Sequence, residues 1–122
     1  MPELSYLLDS WFKLPIIVII AYLLGSINTS IIVSKLAKNK DIRDYGSGNA
    51  GFTNAVRSMG TGLGMVVLAG DVLKCVLAIL IGQLIYIGDL SFNAGAAGRL
   101  LAGCSVFIGH VYPIWFRFRG GK

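Results

Sequence analysis

Between Lys13 and Lys35 the chain carries no charge. Wound as a helix at about 1.5 Å per residue, Leu14 to Ser34 reaches about 30 Å, the thickness of a bilayer's hydrocarbon core. A segment of that kind must close its own backbone hydrogen bonds, because lipid offers none. A cleaved signal peptide is the competing reading. Against it, the preceding "MPELSYLLDSWFK" carries Glu3 and Asp9 but no basic cluster, and the run exceeds a normal signal core.

Two further apolar runs follow, about 63–87 and 94–116. The second span contains Asp71 and Lys74, three apart and therefore on one helix face, where a paired charge is tolerable. The third carries Arg99 near its start and His110 near its end, and Pro113 should bend or loosen its last turn. Runs this long exclude barrel strands of roughly ten residues. The expected fold is an all-α integral membrane protein, a single domain over 1–122 with spans at about 14–34, 63–87 and 94–116. A chain that is 55% hydrophobic and 14% charged agrees with that solvent, and no block of like charge points to nucleic acid.

Orientation follows from the cations. Lys35, Lys38, Lys40, Arg43 and Arg57 lie after the first span, and Arg117, Arg119 and Lys122 after the third, which puts eight of the 11 basic residues on one side. That side should be cytoplasmic, with the N-terminus and the "GDLSFNAG" turn outside. Cys75 and Cys104 fall within spans and read as small apolar fillers. "GAAG" at 95–98 and glycines 62, 64, 70, 82 and 103 read as small residues that let helices approach closely.

The loop "YGSGNAGFTNAVRSMG", Tyr45 to Gly60, is richer than a connector needs. Residues 50–59 could form a short interfacial helix, with Asn49 as N-cap and Gly60 as its stop. Glycines before a helix start expose N–H groups that suit a phosphate, and Gly46, Gly48, Ser47, Asn49, Thr53 and Asn54 would line such a site. Arg57, one turn after Thr53, could add a bidentate charge. A capped glycine turn with Arg57 as a mere topology anchor remains the alternative. "FRFRGGK", Phe116 to Lys122, forms a second glycine and cation cluster on the same face, although juxtamembrane cations also serve as headgroup anchors.

With "LLGSI" and "IIVSKL" in the first span, "GSGNAGFTNAVRSMG", "GDVLK" and "GHVYPIWFRFRGGK", the chain resembles the PlsY-type membrane glycerol-3-phosphate acyltransferases of bacteria. That resemblance implies acyl transfer from acyl phosphate to the 1-hydroxyl of glycerol 3-phosphate in the plasma (inner) membrane, giving lysophosphatidic acid and phosphate. By motif position it implies catalytic roles for Ser47, Arg57 and Lys122, with Arg119, Gly120 and Gly121 helping to hold glycerol 3-phosphate. Asp71, Lys74 and His110 would be supporting residues, and His110 reads more simply as packed than catalytic. Family members usually have proline at position 28, here Asn28, and a small residue at position 52, here Phe52. The family pattern also continues past "RGGK" into further spans and a third motif. The chain is therefore expected to be an N-terminal portion, truncated at its C-terminus and inactive alone.

With a mixed anhydride as donor, orienting the reactants and neutralising crowded phosphates is the main task, so no nucleophilic side chain is required. No metal or cofactor is expected, the substrates and the bilayer being the implied partners. The rival class is a small membrane transporter or assembly subunit, supported by charges at Asp71, Lys74 and Arg99 within spans.

Overall fold

The computed structural model describes residues 11–85 and 92–122. Every regular element among them is helical: α1 (Lys13–Gly25), α2 (Thr29–Lys38), α3 (Phe52–Met59), α4 (Thr61–Ile85) and α5 (Phe92–Val111), with 3-10 turns at Ile42–Asp44 and Ile114–Phe116. Three stretches are long and apolar enough to cross a membrane, Lys13–Lys38, Thr61–Ile85 and Ala96–Phe116. The N-terminal flank up to residue 10 and the first part of the expected 88–95 turn lie outside the described residues. The last residues of that turn belong instead to α5.

The first span is not one helix. Its chain turns at Ser26 and Ile27, whose N–H groups donate to the carbonyls of Tyr22 (2.9 Å) and Leu24 (3.1 Å). Asn28 then takes an extended conformation and caps α2, its Oδ1 accepting from the N–H of Ile31 at 3.0 Å. The break therefore forms without proline, because an asparagine can satisfy the first turn of the second half. Upstream, the freed carbonyls of Gly25 and Ile27 accept from Lys74 Nζ at 3.1 and 3.0 Å. An ammonium suits that place, since the C-terminal end of a helix carries partial negative charge. At the other end of the molecule, α5 stops at Val111 instead of continuing loosened to residue 116. Residues before a proline are steered out of helix, and Pro113 is followed by the 3-10 turn.

Helices α1, α4 and α5 meet around Ile17, Ala21, Ala78, Ala102 and Val106, all buried. Small residues set the approach. A Cβ on Gly25 would strike the backbone of Val106, and one on Gly109 the carbonyl of Tyr22, so α1 and α5 touch backbone to backbone. Gly82 likewise meets Gly98 and Ala102, Gly70 meets Thr29, and Gly64 meets Val56. Gly62 and Gly103 do not share this role, because a Cβ there meets nothing within 4 Å among the described residues. Outward, α4 exposes Val72, Leu73, Val76, Leu77 and Leu80, an apolar face suited to lipid, and Cys104 is exposed rather than packed as filler.

This packing yields a paired prediction. Gly25→Ala should lower stability in detergent by about 1–3 kcal/mol, the usual cost of overpacking. Gly103→Ala should leave the thermal midpoint unchanged, and equal losses in both would refute the close-contact assignment.

Candidate functional site

The loop after α2 is built inward from a small apolar floor of Ile31, Ile42 and Ala50, against which Met59 and Phe116 pack. Ser34 Oγ accepts from the N–H of Ile42 at 3.0 Å and pins the loop to α2. Gly46 (φ 58°) and Gly48 (φ 76°) then reverse the chain in left-handed conformations that a side chain would disfavour.

Asn54, fully buried on α3, organises this turn. Its Nδ2 donates to the carbonyls of Tyr45 and Asn49, both at 2.9 Å, while its Oδ1 accepts from Ser47 N–H and Ser58 Oγ, both at 3.2 Å. Those bonds engage the whole amide inside the loop. Ser47 is exposed, and its Oγ accepts from the N–H of Asn49 at 3.3 Å. The helix that follows is capped by Gly51, without a side-chain bond, and not by Asn49. Gly60 ends it as expected, at φ 93°. Helix geometry leaves the first N–H groups of α3, at Phe52, Thr53 and Asn54, without intrahelical acceptors. Thr53 and Arg57 are exposed on that helix, and among the described residues Arg57 has no partner.

Asn49 has a different task from capping: its Oδ1 accepts from the N–H of Lys122 at 2.9 Å. That bond joins the two glycine and cation segments. A second tie comes from Arg43, which the cation count alone had placed among topology residues. Its guanidinium is nearly buried, pairs with Asp41 at 2.6 Å, and donates to the carbonyls of Phe116 (2.6 Å) and Arg119 (3.1 Å). Between those two carbonyls Arg117 and Phe118 both adopt φ 59°, a conformation costing about 1 kcal/mol or more per residue and held here by the surrounding bonds. Gly120 and Gly121 fold back on α5, donating to the carbonyls of Val111 and His110, both at 3.1 Å.

The result is a cleft of about 350 Å³ lined by Arg43, Gly48, Tyr112 and the 118–122 segment. Of the residues singled out from the sequence, Gly48, Arg119, Gly120, Gly121 and Lys122 line it, and Asn49 is bonded to its edge. Ser47, Thr53 and Arg57 are not part of its lining, and Gly46 and Asn54 lie in the loop behind. Asp71, Lys74 and His110 form a separate group beneath it, Lys74 buried and the other two half-buried. The signal for Arg43 was present in the sequence as "DIRD", an arginine flanked by two acids, one of which, Asp41, fixes it.

The Arg43 hydrogen bond holds the Asp41 carboxyl below its ordinary value, outweighing the opposing effect of burial. With the folded value depressed below an unfolded one near 4, the pair's stabilisation is complete above about pH 4 and is lost as pH falls through the depressed value. Thermal stability in detergent should therefore drop more steeply on acidification for the native chain than for Asp41→Asn. Parallel acid profiles would show that the clamp contributes nothing.

A family model described as "Glycerol-3-phosphate acyltransferase" matches residues 15–122. Among relatives, the glycerol-3-phosphate acyltransferase of Bacillus subtilis (strain 168) is 48% identical over 107 residues, covering 88% of this chain and 51% of its own. That of Thermoanaerobacter sp. (strain X514) is 47% identical over 104 residues, covering 85% and 48%. A crystal structure of PlsY, an integral membrane glycerol 3-phosphate acyltransferase, in its glycerol 3-phosphate form superposes with a TM-score of 0.75 at 38% identity, over 89% of this chain and 51% of that one. The lysophosphatidic acid form gives 0.66 at 35%, over 89% and 50%. The chain thus spans about half the length of the relatives it matches. With a family model covering residues 15–122 and relatives close to half identical, this chain belongs to the glycerol-3-phosphate acyltransferase family.

Proposed function

We propose that the protein transfers an acyl group from acyl phosphate to the 1-hydroxyl of glycerol 3-phosphate, releasing phosphate and forming lysophosphatidic acid. The observation that carries this reading is the bond from Lys122 N–H to Asn49 Oδ1, which brings the two glycine and cation segments to the rim of one cleft. Glycerol 3-phosphate would be held by Arg119, Gly120, Gly121 and Lys122. The donor's phosphate would meet Arg57 and the open N–H groups at the start of α3, with Gly46, Ser47, Gly48, Asn49, Thr53 and Asn54 shaping that turn.

Attack of the hydroxyl oxygen on the acyl carbonyl expels phosphate, a good leaving group, and the hydroxyl proton passes to a phosphate oxygen. Cations near both phosphates offset their repulsion and the charge that develops on the carbonyl oxygen. Ser47 Oγ, an acceptor within its own turn, orders the loop and forms no covalent intermediate. Against the transporter reading, the Lys74 amine donates to two backbone carbonyls and meets His110 Nδ1, a set of bonds that ties helices together.

The protein expressed from its complete reading frame, given acyl phosphate, should form lysophosphatidic acid only when glycerol 3-phosphate is present. Well-folded protein that yields no such product would refute the assignment.

We place both segments at the cytoplasmic face of the bacterial plasma membrane, with Met1 outside, from the bias of basic residues. In a cysteine-free background, Lys40→Cys should react with an impermeant thiol reagent only after the cells are opened. Labelling of intact cells would reverse the orientation.

A further inference from the structure

Beneath the cleft lies a charged group that the proposed reaction does not use. Lys74, near the middle of α4, is buried, its side chain 6% exposed. Its Nζ lies 3.1 Å from the carbonyl of Gly25, 3.0 Å from that of Ile27 and 2.9 Å from His110 Nδ1. Asp71 Oδ1 stands 3.4 Å away in an ion pair and, among the described residues, makes no hydrogen bond. An ammonium has three protons and no lone pair, so these three acceptors complete it and Asp71 supplies balancing charge.

This arrangement dictates the state of His110. Facing a group that can only donate, Nδ1 must accept, which leaves the ring proton on Nε2. Nε2 is the edge beneath Gly121, where an added Cβ would collide with it. The backbone of the same histidine accepts from Gly121 N–H at 3.1 Å. Ring and carbonyl of His110 together form the seat of the Gly120–Lys122 segment. One lysine therefore closes the break in the first span and orients the histidine on which the loop rests.

We propose that Lys74 is a positioning residue for glycerol 3-phosphate: bonded at once to the broken first span and to His110, it fixes the height and tilt of the 120–122 loop. The proposal rests on the assignment of that loop to glycerol 3-phosphate. Its effect should appear in the use of that substrate more than in the chemical step, because the group touches neither reactant.

The test uses the complete protein with 15N-labelled histidine, the His110 signals being assigned from the spectrum of His110→Asn. Native protein should show a protonated Nε2 and a bare Nδ1, and Lys74→Met should lose that single tautomer. In initial rates Lys74→Met should raise KM for glycerol 3-phosphate by about tenfold or more, with kcat and KM for acyl phosphate changed much less. His110→Asn, which keeps an acceptor for Lys74, should stay nearer to native KM than His110→Leu. Should Lys74→Met fail to insert, His110→Leu severs the same link without disturbing the break and carries the kinetic arm. Native tautomer signals in Lys74→Met would overturn the proposal, as would an unchanged KM for glycerol 3-phosphate in both Lys74→Met and His110→Leu. If the native protein makes no lysophosphatidic acid, the assigned function falls instead, while the His110 signals still decide the Lys74 contact.

Discussion

Arg57→Lys, in the protein expressed from its complete reading frame, is expected to lose roughly a hundredfold in acyl-transfer rate while inserting and folding normally. The separation of effects comes from where the residue sits. Arg57 is exposed on α3 and, among the described residues, has no partner, so replacing it breaks nothing that holds the fold. An arginine that only obeyed the basic-residue bias would be replaced by lysine without consequence, because the charge is kept. One that grips a phosphate with two parallel N–H donors would not, since an ammonium is a point charge on a flexible stem. Native rates in Arg57→Lys, with native thermal stability, would return the residue to the role of topology anchor.

Gly121→Ala should be the most damaging change in the second segment, raising KM for glycerol 3-phosphate by about tenfold to a hundredfold. The sequence suggests that a Cβ here would block close approach of a ligand. Packing beneath the loop supplies another reason. Gly121 is buried, and an added Cβ would overlap His110 Nε2 and lie 2.9 Å from the carbonyl of Ala50. Lys122 would then be levered away from Asn49, whose Oδ1 holds its N–H at 2.9 Å. Steady-state kinetics in both substrates checks this, and an unchanged KM for glycerol 3-phosphate would separate the loop from that ligand.

Helices were legible because lipid reduces the choice to few forms. Apolar length marks three spans, and the basic-residue bias groups the two polar clusters on one side. The break at Ser26–Asn28 was not legible, because nothing local distinguishes a capping asparagine from a polar residue facing a neighbour. Its cause is tertiary: Lys74, 47 residues from Ile27, supplies the donors that make the break tolerable. Reading Asp71 and Lys74 as a pair was correct as far as a three-residue spacing goes. The larger share of the lysine's bonding goes to backbone that no pattern along α4 reveals. The role of Arg43 is hidden from the sequence for a similar reason, since its acceptors, Phe116 and Arg119, lie more than 70 residues away. The sequence places Asn54 and Asn49 in the loop but does not reveal their separate tasks. A glycine-rich turn can be organised from within by one amide or capped by another, and only the folded backbone distinguishes the two.

In the proposed reaction two segments hold both phosphates at once, so that acyl transfer passes directly from donor to acceptor without an acyl-enzyme. Initial rates measured while acyl phosphate and glycerol 3-phosphate are both varied test it most directly. Direct transfer gives intersecting reciprocal plots and, in rapid mixing of enzyme with acyl phosphate alone, no burst of phosphate. Parallel plots, with a burst equal to the enzyme concentration before any acceptor is added, would contradict it and make Ser47 the first residue to test as a covalent nucleophile.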